Sequence, residues 1–170
     1  MKKAVENLEV LLLIIMGIAI LVIAVPLLLL WSLFTWPGRL EANKKYAEFL
    51  QQNEGKNFFC YNNRKNAKEF IEQEIIPELG ENVEIVYLNG KVVETPNYPK
   101  ELISKALHQL KSYSKFPHLM KIRQGELIDQ SINNLFFSVT NQNKPKNQLL
   151  DEIDNFFELK TIKKLRDIKH

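Results

Sequence analysis

The sequence predicts an α/β protein in which an N-terminal transmembrane helix precedes a three-layer domain built on a mixed sheet. Three observations predict this fold class. The run from Val10 to Trp36 contains no charged residue, short apolar runs then alternate with amphipathic stretches, and two further apolar runs flank a Gln124–Gly125 turn. Strands separated by helices imply parallel crossovers, and a late hairpin makes the sheet mixed.

Length and composition limit the function classes. A chain of 170 residues has room for one domain and an additional segment. The formal charge of +3 is small and no long basic block is present, which argues against nucleic acid as a partner. One cysteine excludes an intramolecular disulfide, and the histidines are too scattered in sequence to predict a metal site. We therefore expect neither a cofactor nor a metal.

The uncharged run from Val10 to Trp36 is longer than the roughly 20 residues that a helix needs to cross a bilayer. A signal peptide is the competing interpretation, but its apolar region is about 7 to 15 residues long and ends in a small-residue cleavage site. Here the run ends in aromatic residues, and Pro37–Gly38 is expected to end the helix. We therefore expect residues 1–9 to form a short tail and residues 10–36 to anchor the chain in the lipid bilayer.

The positive charges on the two sides of the span are nearly balanced, so they do not determine its orientation. The very short N-terminal tail resembles a signal anchor, which favours a soluble domain on the extracytoplasmic side of the membrane. After the span, the sequence predicts a polar stalk over residues 37–54, a folded domain over residues 55–160 and a basic helical tail over residues 161–170.

The first half of the domain reads as strand, helix and strand. "NFFCYN" (57–62) is an apolar run typical of a strand covered on both faces. "RKNAKEFIEQEIIPEL" (64–79) predicts a helix capped by Asn62 or Asn63. A second strand, "NVEIVYL" (82–88), is followed by the turn Asn89–Gly90. Either this turn leads towards the next helix, or it closes a hairpin with "KVVE".

The second half adds a helix, a hairpin and a final helix. "PKELISKALHQLKSY" (99–113) has one apolar face, and "HLMKIR" and "ELIDQSI" (118–132) form a hairpin around Gln124–Gly125. We expect "LFFSV" (135–139) to be a further short strand. An amphipathic helix beginning at Leu149 then ends the domain.

This order of elements, together with the string "FPHLMKIRQGELID" from Phe116 to Asp129, resembles the thioredoxin-like superfamily over about residues 55–160. In that family a proline with a cis peptide bond opens the strand that faces the active site. The resemblance implies that Pro117 is this proline, although a proline at the first residue of a strand also has an ordinary structural explanation. Cis bonds occur in about 5% of X–Pro bonds in folded proteins.

Thioredoxin-like oxidoreductases carry Cys-x-x-Cys directly after the first strand, whereas the corresponding turn here, Asn62 to Asn66, reads "NNRKN" and contains no sulfur. The dithiol reaction is therefore not available to this chain alone. Strand alternation puts Phe58 and Cys60 on one face, so we expect the thiol to be buried. A register different by two residues would instead bring Cys60 to the rim of the site. That position would permit a monothiol or glutathione-dependent oxidoreductase or transferase.

The resemblance implies a binding site in the altered turn and in the residues around the proline: Asn63, Arg64, Lys65, Asn66, Phe116, Pro117 and His118. Two cations at a helix start suit a carboxylate, while helix capping and solvation are the structural alternative. We expect His118 to be a contact residue or an exposed side chain.

The expected function is that of a single-pass membrane protein whose domain is a non-catalytic binding or scaffold module. Its expected partner is another membrane or envelope protein or peptide. One alternative is the thiol enzyme that uses Cys60. Another is a domain that only tethers a complex assembled through the transmembrane helix.

Overall fold

The computed structural model describes the backbone of residues 2–158 and, within that range, the side chains of all residues except 2–12, 29, 32–37 and 66. The predicted basic tail, 161–170, lies outside the described residues. Contacts divide the chain into two compact units, Met1–Lys45 and Tyr46–His170.

The described residues of the first unit form one helix. Helix α1 spans Lys2–Gln52, so its last turns belong to the second unit. The expectation that Pro37–Gly38 ends the helix is wrong, because α1 continues through both residues. A proline removes one hydrogen bond from the helical ladder, and the neighbouring turns can maintain the helix around it. Large apolar side chains between Leu13 and Trp31 are exposed. Among the residues that the structure describes, no helix meets the length and apolarity required to span a membrane.

The second unit is built on a five-stranded mixed sheet. The strands are β1 (Asn57–Asn62), β2 (Val83–Asn89), β3 (Val92–Glu94), β4 (His118–Arg123) and β5 (Glu126–Ser131). Their order in the sheet is β3-β2-β1-β4-β5. Strand β1 is central, with β2 parallel on one side and β4 antiparallel on the other. The outer pairs, β2/β3 and β4/β5, are antiparallel hairpins.

The described residues of the second unit contain four further helical segments. Helix α2 (Lys65–Phe70) continues into a π-helical turn at Ile71–Ile75 and a 3₁₀ turn at Ile76–Glu78. The other helices are α3 (Lys100–His108), α4 (Asn133–Gln142) and α5 (Lys146–Phe157). Helix α2 links two parallel strands, as expected for a crossover connection.

Alternation along β1 divides the core into two layers. Phe58 and Cys60 face a cluster that includes residues of α3 and the end of α1. Phe59 and Tyr61 face a second cluster formed by α2, α4 and α5. The sheet is therefore covered on both faces, which explains why β1 is an unbroken apolar run rather than an alternating one. The α/β fold class, with three layers and a mixed sheet, is the one that the sequence predicts.

The predicted polar stalk, residues 37–54, contributes apolar side chains to this core. Tyr46, Phe49 and Leu50 are buried on the α3 side of the sheet. Directly after α1, the Glu54 carboxylate accepts hydrogen bonds from the backbone N–H groups of Gly125 at 2.9 Å and Gln124 at 2.8 Å. These bonds lower the pKa of Glu54 below its usual value. The segment that follows α1 is thereby fastened to the turn between β4 and β5.

The turn at Asn89–Gly90 closes a hairpin. Leu88 pairs with Val93 and Asn89 with Val92 in an antiparallel ladder. Gly90 has φ of 63°, a left-handed conformation that glycine adopts without steric cost. Of the two interpretations of this segment, the hairpin is correct, and it adds β3 as an edge strand.

The expected strand at 135–139 is wrong, because this segment lies within helix α4. Phe136 and Val139 are buried against the sheet, three residues apart, while the intervening side chains are only half-buried. That spacing is typical of one helical face. The β-branched and aromatic composition suggested a strand, but burial of this helical face determines the conformation.

We predict that Leu149→Ala lowers the free energy of unfolding by about 2–5 kcal/mol, because Leu149 is fully buried and truncation leaves a cavity. The matched control is Leu150→Ala, the neighbouring leucine of the same helix, which is only partly buried. Urea unfolding followed by circular dichroism should show a markedly smaller decrease in the free energy of unfolding for Leu150→Ala. Equal losses for the two variants would contradict the layer assignment of α5.

Candidate functional site

The turn between β1 and α2 exposes three consecutive side chains, Asn63, Arg64 and Lys65. The side chain of Asn66 is outside the described set. The expected cap by Asn62 or Asn63 is wrong, because Arg64 is the N-cap residue and no side chain caps the helix. The Oδ1 atom of Asn62 accepts a long bond from the backbone N–H of Arg64, at 3.4 Å. Asn63 instead points towards the neighbouring hairpin, donating from Nδ2 to Oδ1 of Asn89 at 3.3 Å.

The peptide bond between Phe116 and Pro117 is cis, in agreement with the sequence expectation. Both residues are buried and directly precede β4. The β1–β4 ladder ends with Cys60 opposite His118. Because the two strands are antiparallel, the end of β1 and the start of β4 lie at the same edge of the sheet. The structure thus brings the turn at 62–66 and the Phe116–Pro117 bond together.

The loop from Ser112 to Lys115, which precedes the cis bond, is held by side chains from three elements. An imidazole nitrogen of His118 lies 2.7 Å from the Ser112 carbonyl oxygen. The Nη2 atom of Arg64 donates to the Ser114 carbonyl at 3.3 Å, and the hydroxyl of Ser131 donates to the Lys115 carbonyl at 2.7 Å. We call residues 112–115 the site loop. Its position therefore depends on β4, β5 and the turn before α2.

The expectation of an exposed His118 side chain is wrong, because this side chain is fully buried. Since a carbonyl oxygen can only accept, Nε2 must carry the hydrogen that bonds Ser112. In the neutral ring Nδ1 is then an acceptor, and no hydrogen-bond partner reaches it among the described residues. The Oδ2 atom of Asp129 on β5 lies 3.8 Å from Nδ1. Burial lowers the pKa of His118, and this effect outweighs the opposing influences of the Ser112 carbonyl and the Asp129 carboxylate.

Cys60 is fully buried in the central strand of the sheet and is not disulfide-bonded. It pairs with Val86 on β2 and lies opposite His118 on β4. Burial raises the pKa of the Cys60 thiol, because the thiolate would lose its hydration. The two-residue shift that would bring the thiol to the rim does not occur. The geometry therefore does not favour a monothiol reaction at this residue.

The sequence did not point to Asp129, Ser112 or Ser131 as parts of this site. Strand alternation could have identified Asp129, because it lies two residues from Leu127 and therefore on the same face of β5. Leu127 packs against the core. A carboxylate at that position in a strand is directed towards the interior. The carbonyl contacts of the site loop had no such pattern, because they depend on the path of the backbone.

Two further observations limit the chemistry. Among the described residues, no group of three His, Cys, Asp or Glu side chains could hold a metal ion. A cavity of about 480 Å³ opens between α2 and α4, lined by apolar side chains such as Phe70 and Phe136 and by Thr140 and two asparagines. No acid, base or thiol is among its described lining residues. Neither feature adds a catalytic group to the site.

Comparison with family models, curated proteins and solved structures found no match to this chain.

We predict that Cys60 reacts with a maleimide or with iodoacetamide at least about 100-fold more slowly in the native protein than in urea. Modification requires the sheet to open, which costs several kcal/mol for a central strand, and about 1.4 kcal/mol corresponds to a factor of ten. Mass spectrometry of the alkylated chain measures both rates. A surface cysteine introduced at Lys144, which is exposed, is the control for reagent access. Comparable native rates at the two positions would restore the thiol enzyme as a candidate.

Proposed function

We propose that this protein is a single-pass membrane protein whose thioredoxin-like domain lacks a redox dithiol and acts as a non-catalytic binding or scaffold module. The observation that carries the proposal is which residues stand in the turn after β1 and beside Pro117. The turn where a dithiol would stand contains no sulfur, and the single thiol is buried with a raised pKa. The edge instead presents exposed amide and cationic groups beside a cis proline.

The thioredoxin-like part of the proposal is supported by the arrangement of the strands. A parallel pair joined by a helix, β1 and β2, is followed by an antiparallel hairpin, β4 and β5, that pairs with β1. The cis bond stands at the start of β4, beside the end of β1. The hairpin strand β3 is an addition at the outer edge of the sheet.

The proposed binding mode is supported by where the strand pairing stops near the cis bond. The pairing of β4 with β1 ends at His118, and its pairing with β5 also ends there. Phe116 lies two residues beyond both ladders, with its ring buried in the core. We propose that the backbone beside Pro117 pairs with an extended segment from another protein, in the manner of strand addition. Arg64 and Lys65 would then meet a carboxylate on that segment. We propose as partner an acidic, extended segment of another membrane or envelope protein.

The membrane anchor in this proposal is residues 10–36. The sequence of residues 10–36 supports this anchor, because it carries no charge and is long enough to cross a bilayer. The backbone of α1 is helical over the same residues. The described apolar side chains of this segment are exposed rather than packed in a core. The short N-terminal tail favours an extracytoplasmic position for the domain, which a C-terminal topology reporter would test directly.

We predict that a photo-crosslinking residue in place of Lys65 captures a specific protein in native membranes, while the same residue at Lys144 does not. Both lysines are exposed, and Lys144 lies in the loop between α4 and α5. Adding Arg64→Glu should reduce capture from position 65 by about tenfold, which corresponds to about 1.4 kcal/mol of lost affinity. Equal capture at both positions, or capture that is insensitive to Arg64→Glu, would contradict this site.

An insulin-reduction assay on the full chain distinguishes the module from an enzyme. We expect no reductase activity above buffer, for the wild type and for Cys60→Ser alike, because no accessible thiolate is present. Activity that disappears with Cys60→Ser would contradict the non-catalytic proposal.

We predict that Ile18→Lys with Val22→Lys releases the protein from membranes during alkaline carbonate extraction. A lysine near the centre of a span costs about 2.5–3.5 kcal/mol on insertion scales. Both positions are exposed. Leu40→Lys, an equally exposed leucine outside the uncharged run, should leave the protein in the membrane pellet. Loss of the wild-type chain from the pellet would contradict the anchor.

A further inference from the structure

The contact between His118 and Asp129 joins two hydrogen-bond acceptors. The Nε2–H group of His118 is used by the Ser112 carbonyl at 2.7 Å, so Nδ1 carries only a lone pair. That lone pair faces a carboxylate oxygen at 3.8 Å, and the Asp129 side chain is 8% exposed. A buried polar atom without a partner is unusual in folded proteins and often has a specific role. An added proton on Nδ1 would face the Asp129 carboxylate, but at 3.8 Å that carboxylate offsets only part of the cost of burying an imidazolium away from water.

The proton state of His118 is coupled to the site loop through one carbonyl group. The Ser112 oxygen accepts from His118 and also from the backbone N–H of Lys115, at 2.9 Å. The loop then continues directly into Phe116 and the cis bond. Any motion that carries the His118 ring towards water must break its bond to Ser112, which removes one of the three side-chain contacts that hold the site loop.

Among the residues that the structure describes, Asp129 on β5 is the charged group that acts on the His118 imidazole. Other titratable side chains of the elements around it include Cys60 on β1, Tyr46 on α1, Lys105 and His108 on α3, Glu126 on β5, Tyr113 beside the site loop, and Arg64, which bonds the Ser114 carbonyl. The Cys60 and Tyr46 groups have a raised pKa and are neutral near pH 7. The Asp129 carboxylate is thus the group that limits the cost of charging His118.

We propose that His118 is an acid-sensitive latch for the site loop: protonation of the buried imidazole favours an open state in which the ring reaches water and Ser112 is released. Asp129 moderates the latch, because its carboxylate stabilises the imidazolium in the closed state. This inference rests on the proposed function, since it makes binding beside Pro117 weaker in mildly acidic conditions.

The direction follows from proton linkage. In the open state the imidazole has its ordinary pKa of about 6.5, and burial lowers the pKa in the closed state. The contribution of His118 to holding the loop closed is therefore complete above about pH 6.5. It is lost as the pH falls through the window between the open-state and closed-state values. Below the closed-state value both states bind the proton and the loss ends.

Amide hydrogen exchange of the full chain in detergent micelles tests this inference without any partner. After correction for intrinsic exchange rates, protection of the Lys115 amide should fall by up to about tenfold per pH unit below pH 6.5, as expected for one linked proton. The Ile122 amide, which bonds the Lys56 carbonyl at the other end of β4, is the internal control and should change little.

Two variants complete the test. His118→Gln retains an N–H donor for Ser112 but does not titrate, so the Lys115 amide should lose its pH dependence. Asp129→Asn removes the stabilising carboxylate, so the pH-dependent loss of protection should extend to lower pH. If Lys115 protection has the same pH dependence in His118→Gln as in the wild type, the latch is refuted.

Imidazole nitrogen NMR of the wild type provides a measurement that does not depend on the folding of a variant. At pH 8 the His118 signal should be that of the Nε2–H tautomer, and the midpoint of its titration should lie below 6.5. A Nδ1–H tautomer at pH 8, or a midpoint at or above 6.5, would also refute the latch. Failure of the capture experiment at Lys65 with a positive result here would reject the proposed function and leave the pH-dependent loop intact.

Discussion

The antiparallel pairing of β1 with β4 determines most of what the site contains. It places Cys60 opposite His118 in the middle of a sheet that is covered on both faces. The thiol consequently has no route to solvent, and the imidazole is buried with it. The same pairing ends where the cis bond begins, so it also brings Phe116 and Pro117 beside the exposed turn after β1. The burial of Cys60 and His118 and the position of the exposed turn beside Pro117 therefore have one structural cause.

A fully buried histidine requires compensation. Leaving a buried acceptor without a partner costs about 1–3 kcal/mol, so Nδ1 of His118 is a local weakness in an otherwise apolar layer. The bond from Nε2 to the Ser112 carbonyl offsets part of this cost and fixes the ring tautomer. The site loop is thus held by His118, whose burial leaves Nδ1 without water and without a hydrogen-bond partner among the described residues. In the proposed latch, the stability of the closed site loop therefore depends on pH more strongly than the pairing of the strands does.

The order of the sheet elements could be predicted from the sequence because its strongest patterns are local. The apolar run at 57–62 and the turn at Gln124–Gly125 identify β1 and the β4–β5 hairpin without tertiary information. Segment 135–139 could not be predicted in this way, since the same residues suit a strand or a helix until the partner surface is known. The hairpin at Asn89–Gly90 remained one of two interpretations because a two-residue turn also suits an ordinary exit from a strand.

The site was predicted less completely than the fold. The sequence identified Arg64, Lys65 and Pro117 because each belongs to a turn or a motif. It predicted that His118 is a contact residue or an exposed side chain because the residue follows Pro117, near the expected binding groove, and only the tertiary structure shows that its side chain is buried. Contacts between side chains and distant carbonyl groups, such as Arg64 with Ser114, depend on backbone positions that no local pattern encodes.

The burial of the single cysteine has a consequence for covalent assembly. Disulfide exchange requires an accessible sulfur on both partners, and this chain offers none in its native state. In an oxidising compartment the folded protein would neither accumulate disulfide-linked dimers nor be trapped as a mixed disulfide with neighbouring thiols. A complex that the native chain forms there would not be held by a disulfide to Cys60, so its lifetime would depend on its other contacts.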